Sequence, residues 1–569
     1  MAAARESGLR YADWTRAACV ASGSAIRQES NMSRLLRALL LIGCLLPGGV
    51  KAGGSIEVAL LTGNPGGIVA PGREANLALL LTNTSVKPVQ GDVVATLTEF
   101  DGAQEKLSQH VLLPSRGKVR LKLPLGAGRL GIRTVDYQFN GEQAVRGRAS
   151  FVYGKPAGAG PDPAGFLYGV CGHLSRDSLQ EAATQAAAVS QIGVRVLRMG
   201  REWAALESQP GKWNWADLDA RVGVVEHHGL QIQMLLAYGN VYAASAEAQT
   251  AAAQAKAAGE QAPWIKAVRA PPEDGAWRAY VRSVVTRYRG RIHYWEIWNE
   301  PDLSLFFLGR TDDYIRMLRS AYAEVKRVDP RSKIMTAGFA TVDDAKYRRL
   351  NPDLQQRVLA EASDAFDIHA LHEHGTFEAF EHAVDGELTR YRSGMKQPRP
   401  LYFNETGMSS QHGREREQAL ALVKKITFAR ARGAIAYNWY DIRDDGTDPD
   451  ELEHNFGLLT RDFQPKPAYA AYNELITRLR GLKFSSALEV GAARHGYVFD
   501  APGRKVIVVW ADKAARGQQI AIVTNGAGTA RQLDIMGNAK PLAIARGEVL
   551  ITLQDEPSYV EFRGSPKSL

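Results

Sequence analysis

The chain has 569 residues, too many for one ordinary core, so two to four domains are expected. Hydrophobic residues make up 45% and charged residues 23%, the ordinary globular balance. The formal net charge of +9 is not gathered into any dense basic run, so nucleic acid is not an expected partner.

Residues 1–31 precede a second methionine and read as an over-called start. Residues 32–52, MSRLLRALLLIGCLLPGGVKA, read as a secretory signal peptide. Arg34 and Arg37 form its basic start, Ala38 to Leu46 its apolar core, and Val50-Lys51-Ala52 its small-residue end. The apolar run is too short for a stable membrane span. A secreted or periplasmic protein is therefore expected. Leu41-Ile42-Gly43-Cys44 offers a lesser alternative, lipoprotein anchoring at Cys44. Cleavage after Ala52 removes seven Lys/Arg and three Asp/Glu, which lowers the net charge from +9 to +5. It also leaves Cys171 as the one remaining cysteine of three, so no internal disulfide can form. Cys171, in an apolar run, is expected to be a buried strand residue.

Residues 55–153 carry short runs with β-branched or alternating apolar residues: IEVALL, ANLALLLTN, GDVVATLTEF, VRLKLPL, TVDYQF and ASFVYG. Turn clusters such as Gly63-Asn64-Pro65-Gly66-Gly67 separate them, and an N-terminal β-sandwich is expected. Residues 154–165, GKPAGAGPDPAG, have the composition of a linker. From 166 to 482 strand-like and helical stretches alternate. The strand candidates are 166–172, 194–200, 230–239, 292–299, 333–340, 366–374, 400–407 and 434–441. Eight such β/α units predict a (β/α)8 TIM barrel. No Gly-rich phosphate fingerprint follows any strand to support an open doubly wound sheet instead. The Ala-rich stretch 243–262 predicts a helix in the loop after the third strand. Residues 483–569 return to β patterning and predict a C-terminal sandwich-like domain.

Active sites of such barrels lie at the C-terminal ends of the strands. The second strand ends near Arg198, the fourth in Asn299-Glu300, and the seventh in Asn404-Glu405. The sixth carries His372 and His374, and the eighth Trp439 and Tyr440. Two carboxylates on strand ends 105 positions apart are thereby brought to one mouth. Facing carboxylates suit glycoside chemistry: one donates a proton to the leaving oxygen, the other attacks or stabilises the anomeric carbon. An apolar surround favours the protonated form of one, while Arg198 beside the other keeps it ionised. Trp439 would offer a flat face to a sugar ring. Glu296, inside the fourth strand, is expected in a buried hydrogen-bond network, and Asp302 as the cap of the next helix. His369, His372 and His374 invite a metal reading, but only His372 and His374 share a strand face and no further ligand has suitable spacing. No metal or cofactor is expected.

WEIWNEPD (295–302) together with YFNETG (402–407) resembles the clan A glycoside hydrolases, most closely family 39. The resemblance covers the barrel, about 166–482, with REWAALESQPGKWNWADLD and NFGLLTRDFQPKPAYAAY as further matching stretches. It implies a retaining, double-displacement hydrolase with Glu300 as acid/base and Glu405 as nucleophile. By the same resemblance Asn299 meets the substrate 2-hydroxyl, and Arg198, His372 and Trp439 fall at matching strand ends. The sequence departs from the family at His374, where a tyrosine is often found. The partner it implies is a poly- or oligosaccharide. Transglycosylation on the same barrel, and a carbohydrate-binding protein without turnover, are the alternatives. No motif specifies the sugar or an oligomeric state.

Overall fold

The computed structural model describes residues 48–125, 128–340, 351–524, 526 and 528–563. Most of the expected signal segment therefore lies outside the described residues.

The barrel strands are β1 (Leu167–Cys171), β2 (Val196–Gly200), β3 (Gln231–Leu236), β4 (Tyr294–Ile297), β5 (Lys333–Met335), β6 (His369–His372), β7 (Leu401–Thr406) and β8 (Ala434–Trp439). All are parallel, in the spatial order β5-β4-β3-β2-β1-β8-β7-β6. Parallel bridges Met335↔Ile368 and Phe339↔Leu371 join β5 to β6 and close the ring. All eight strands fall inside the sequence windows, because strands buried on both faces read as continuous apolar runs.

Each strand feeds a helix. These are α1 (Leu179–Gln191), α2 (Ala216–His227), α3 (Asp274–Arg287), α4 (Thr311–Val328), α5 (Leu354–Glu361), α6 (Phe377–Ala383), α7 (Glu415–Ala431) and α8 (Pro467–Leu479). The Ala-rich stretch forms a helix, Ala246–Ala257, capped by Ser245 accepting from Ala248 N–H. Asp302 does not cap α4: Arg310 occupies that position. The Asp302 carboxylate is buried and accepts instead from Ala340 N–H at 3.1 Å, tying the β4 loop to the end of β5.

Ahead of the barrel, a four-stranded sheet built on Ile56–Leu61, Ala78–Asn83 and Lys118–Lys122 faces a five-stranded one whose longest strands are Val89–Glu99 and Gly131–Gly141. Alternate residues Val93, Ala95 and Leu97 enter a core of their own with Val135, Tyr137 and Phe139. Behind the barrel lie a six-stranded sheet and a two-stranded ribbon, Gln519–Val523 with Glu548–Thr552. Between their faces Ile507, Val509, Ile520, Ile522, Val549 and Ile551 are buried together. Among the described residues no helix is long and apolar enough to cross a membrane.

Candidate active site

Backbone irregularities aim the polar side chains at the mouth. On β4, Tyr294 and Glu296 point inward while Trp295 packs outward against Ser332, donating from Nε1 at 3.2 Å. Past Ile297 the chain turns through two non-glycine residues with positive φ, Trp298 (+70°) and Glu300 (+41°). Such conformations cost on the order of 1–3 kcal/mol and need firm support. Trp298 N–H donates to Leu236 O, Trp298 Nε1–H to Phe306 O, and Glu300 N–H to Gly338 O, each at 3.1 Å. On β7 the pairing with β6 slips by one residue: Leu371 lies opposite Phe403, but His372 lies opposite Glu405. The extra residue, Asn404, is a bulge. Bulges re-aim side chains, and this one turns Glu405 inward, where strict alternation from the inward Tyr402 would place it outside.

The charges converge on Arg198. Its guanidinium donates to Glu296 through Nε (2.6 Å) and Nη2 (3.0 Å), to Asn299 Oδ1 at 2.8 Å, and to Glu405 Oε2 through Nη1. Glu296, fully buried, also accepts from Gln233 Nε2 (3.0 Å) and Gly338 N–H (3.1 Å). Gln233 is held in turn by Asn438, whose Oδ1 accepts from Tyr402 OH. His372, fully buried, meets Glu300 Oε1 through Nδ1 at 2.8 Å, and its Nε2 lies 3.8 Å from both Glu296 and Glu405. His374 Nε2 lies 3.4 Å from the other Glu405 oxygen.

This arrangement sets the proton affinities. Burial pushes the Glu405 carboxyl up, but the charges of His372 and Arg198, with the His374 hydrogen bond, outweigh it and hold it well below the usual range. Burial likewise raises Glu296, and Arg198 and His372 bring it down to about 2. For His372 burial works against the charged ring, yet Glu405, Glu296 and Glu300 lift it from 6.5 to about 9. At neutral pH the imidazolium therefore sits between the Glu296 and Glu405 carboxylates, with Nδ1 on Glu300.

Glu300, His374 and Glu405 each offer one atom within 4.8 Å of the others. Such a trio could ring a cation. Arg198 and charged His372 already supply positive charge to the same carboxylates, which disfavours one.

Of the remaining expected residues, Tyr440 lies at the rim with its hydroxyl 3.1 Å from His173 Nε2, and its ring meets His374 and Phe456 edge-on. Trp439 departs from expectation: it is 0% exposed, with Nε1–H directed at Phe456 O (3.4 Å), and offers no face to a sugar. Asn404, formally part of a glycosylation sequon, is also completely buried. Cys171 is 2% exposed, its thiol pushed up by burial and directed at Asn404 O. Sequence reasoning missed His173, Gln233, Asn438 and Gly338. His173 stands two residues past β1, so the strand-end rule could have found it. The other three carry no signal of their own.

No family model matches the chain. It is 26% identical over 234 residues to a β-xylosidase of Caldicellulosiruptor saccharolyticus, a match covering 37% of this chain and 46% of that one. The chain thus spans about half the length of this curated relative. Among solved structures, a family 39 glycoside hydrolase from the gut symbiont Bacteroides cellulosilyticus WH2 aligns with a TM-score of 0.65 and 19% identity, over 89% of this chain and 100% of that one. A family 39 β-xylosidase from Caulobacter crescentus aligns with a TM-score of 0.50 and 17% identity, over 71% and 97%. The chain therefore has the barrel-and-sandwich fold of the family 39 glycoside hydrolases.

Proposed function

We propose that this protein is a retaining O-glycoside hydrolase of the family 39 type. The observation that carries the reading is the approach of a Glu300 oxygen to within 4.8 Å of a Glu405 oxygen. Retaining enzymes hold their carboxyls about 5–5.5 Å apart, while inverting ones leave room for a water between. Glu405, kept ionised by Arg198 and His372, attacks the anomeric carbon. Glu300 gives its proton to the glycosidic oxygen, and the leaving group departs as an alcohol. Glu300 then takes a proton from water, which attacks the glycosyl ester and frees Glu405. Asn299 spends its Oδ1 on Arg198. That leaves its Nδ2 hydrogens as the group with which it would donate to a sugar hydroxyl.

The substrate is a poly- or oligosaccharide outside the cytoplasm, in keeping with the leader at 32–52. Cleavage after Ala52 would remove nearly all of the edge strand Gly48–Gly53, leaving Ile56–Leu61 as the new edge. The β-xylosidase relatives make an aryl β-xyloside the first substrate to try, followed by other aryl β-glycosides and exopolysaccharides. Replacing Glu300 or Glu405 with Ala should leave the fold intact and lower kcat roughly 100- to 10,000-fold. A 2-fluoro sugar should add its mass to the peptide bearing Glu405. Undiminished turnover in either variant, or an adduct elsewhere, refutes the assignment.

A further inference from the structure

We infer that Gly338 is a positioning residue: the bare backbone just past β5 is the seat on which the His372 ring lies between Glu300 and Glu405. The inference rests on the hydrolase reading above for its kinetic consequence, but not for its geometry.

A Cβ at position 338 would stand 1.8 Å from His372 Nε2, 2.0 Å from Cδ2 and 2.7 Å from Cε1. The ring is fully buried and cannot swing into solvent. Gly338 does not occupy the left-handed φ region, so any residue could adopt its backbone shape. The constraint is one of space alone. The same residue is fastened on two other sides. Its N–H donates to Glu296 Oε1 at 3.1 Å, and its carbonyl accepts from Glu300 N–H at 3.1 Å. A parallel bridge pairs it with Asn299. One glycine therefore fixes the backbone of the proposed acid, one oxygen of the carboxylate that holds Arg198, and the plane of the imidazole that bridges acid and nucleophile.

A methyl group here must displace the ring and lengthen its 2.8 Å contact with Glu300. Displacements of about 1 Å at a reacting centre cost on the order of 100-fold. Gly338→Ala should thus lower kcat on an aryl glycoside about 100-fold, with KM changed far less, and shift the pH profile. A double-mutant cycle isolates the route, since effects that share one partner do not add. In a His372→Ala background the space is already vacant, so Gly338→Ala should cost almost nothing more.

Wild-type kcat and pH profile in Gly338→Ala would overturn the proposal. So would losses that simply multiply in the double variant. If Gly338→Ala fails to fold, the double variant should fold, and failure of both also overturns it. The imidazole titration of His372, followed by NMR in labelled protein, needs no turnover. In the wild type it should stay charged well above pH 7, and in Gly338→Ala it should titrate lower. An unmoved titration sinks the positioning role even if no sugar is ever hydrolysed, and failure of the hydrolase reading leaves this readout intact.

Discussion

His372 is the residue through which the site's electrostatics act on stability. Its folded proton affinity, about 9, exceeds its ordinary 6.5. The raised value means that the charged ring stabilises the folded state. The contribution is complete below about pH 6.5 and is lost as pH rises through about 9. It amounts to something on the order of 3 kcal/mol. Lys425 works in the opposite sense. Burial lowers its ammonium from 10.5 to about 7, so its penalty fades as pH rises over much of the same window. The absolute stability curve therefore mixes the two, and the comparison must be between wild type and His372→Gln. The gap in unfolding free energy between them should be widest near pH 6 and nearly closed by pH 10, as chemical denaturation would measure it. A constant gap across that range would mean that His372 packs rather than titrates. At this scale the sequence was informative where chemistry and strand ends coincide, as at Arg198, Glu300, His372 and Glu405. It was silent at Gly338, because one glycine among 54 declares its use only when a ring lies on it. It misled at Trp439, since a tryptophan reads the same whether its face is open or covered.

Elements were legible to the degree that their two faces differ in polarity or that both are apolar. The barrel strands were readable for the second reason. Gln104–Leu113, ten residues paired to Val89–Glu99 along its length, was not, because half of its side chains are both exposed and polar. Only tertiary pairing makes it a strand. Inside the site, the strand-end rule placed Glu405 at the mouth but not the β7 bulge that aims it there. Period-two reading sends Glu405 outward, and one unpaired residue reverses that. The start of α1 is written locally. Ser178 Oγ accepts from Glu181 N–H, and Glu181 Oε2 accepts from Ser178 N–H, a complete capping box. Glu181 Oε1 also accepts two hydrogens from Arg443, in the loop after β8, at 3.0 and 3.1 Å. Ser178→Ala should cost about 1 kcal/mol in chemical denaturation and leave kcat within about twofold, because Glu181 can hold Arg443 without the serine. A large fall in kcat would show that the cap, and not only Glu181, sets the β8 loop.

The whole molecule is less modular than its composition implies. Residues 154–165 have a linker's composition, yet Arg195 donates to Gly158 O and Gly160 O, and Arg480 to Ala157 O, Ala159 O and Pro161 O. Two arginines hold the carbonyls of this glycine- and proline-rich run, and Asn473 adds a bond to Lys155 O and another from Ala157 N–H. The C-terminal domain is likewise joined to the barrel through a shared core. Trp510 is fully buried, stacks on His495 at 4.8 Å, and meets Phe377 of α6 edge-on at 5.3 Å. Tyr497 meets Phe428 of α7. Arg430 of α7 lies over Phe499 while donating to Tyr168 OH, Leu479 O and Leu482 O. These two helices flank the strand that carries Glu405, and α6 follows the strand that carries His372. The absence of a long linker before the domain already pointed to packing against the barrel, and the domain buttresses the side that holds the nucleophile. Truncating a buried tryptophan costs about 3–5 kcal/mol. If the shared core couples the two domains, Trp510→Ala should shift one common unfolding transition to lower temperature, and hydrolysis should be lost along that same transition. Scanning calorimetry beside activity measured after heating reads both. A new early transition for the C-terminal domain, with the barrel's own transition and its activity unmoved, would show that the two domains unfold independently and that the buttress has no mechanical consequence.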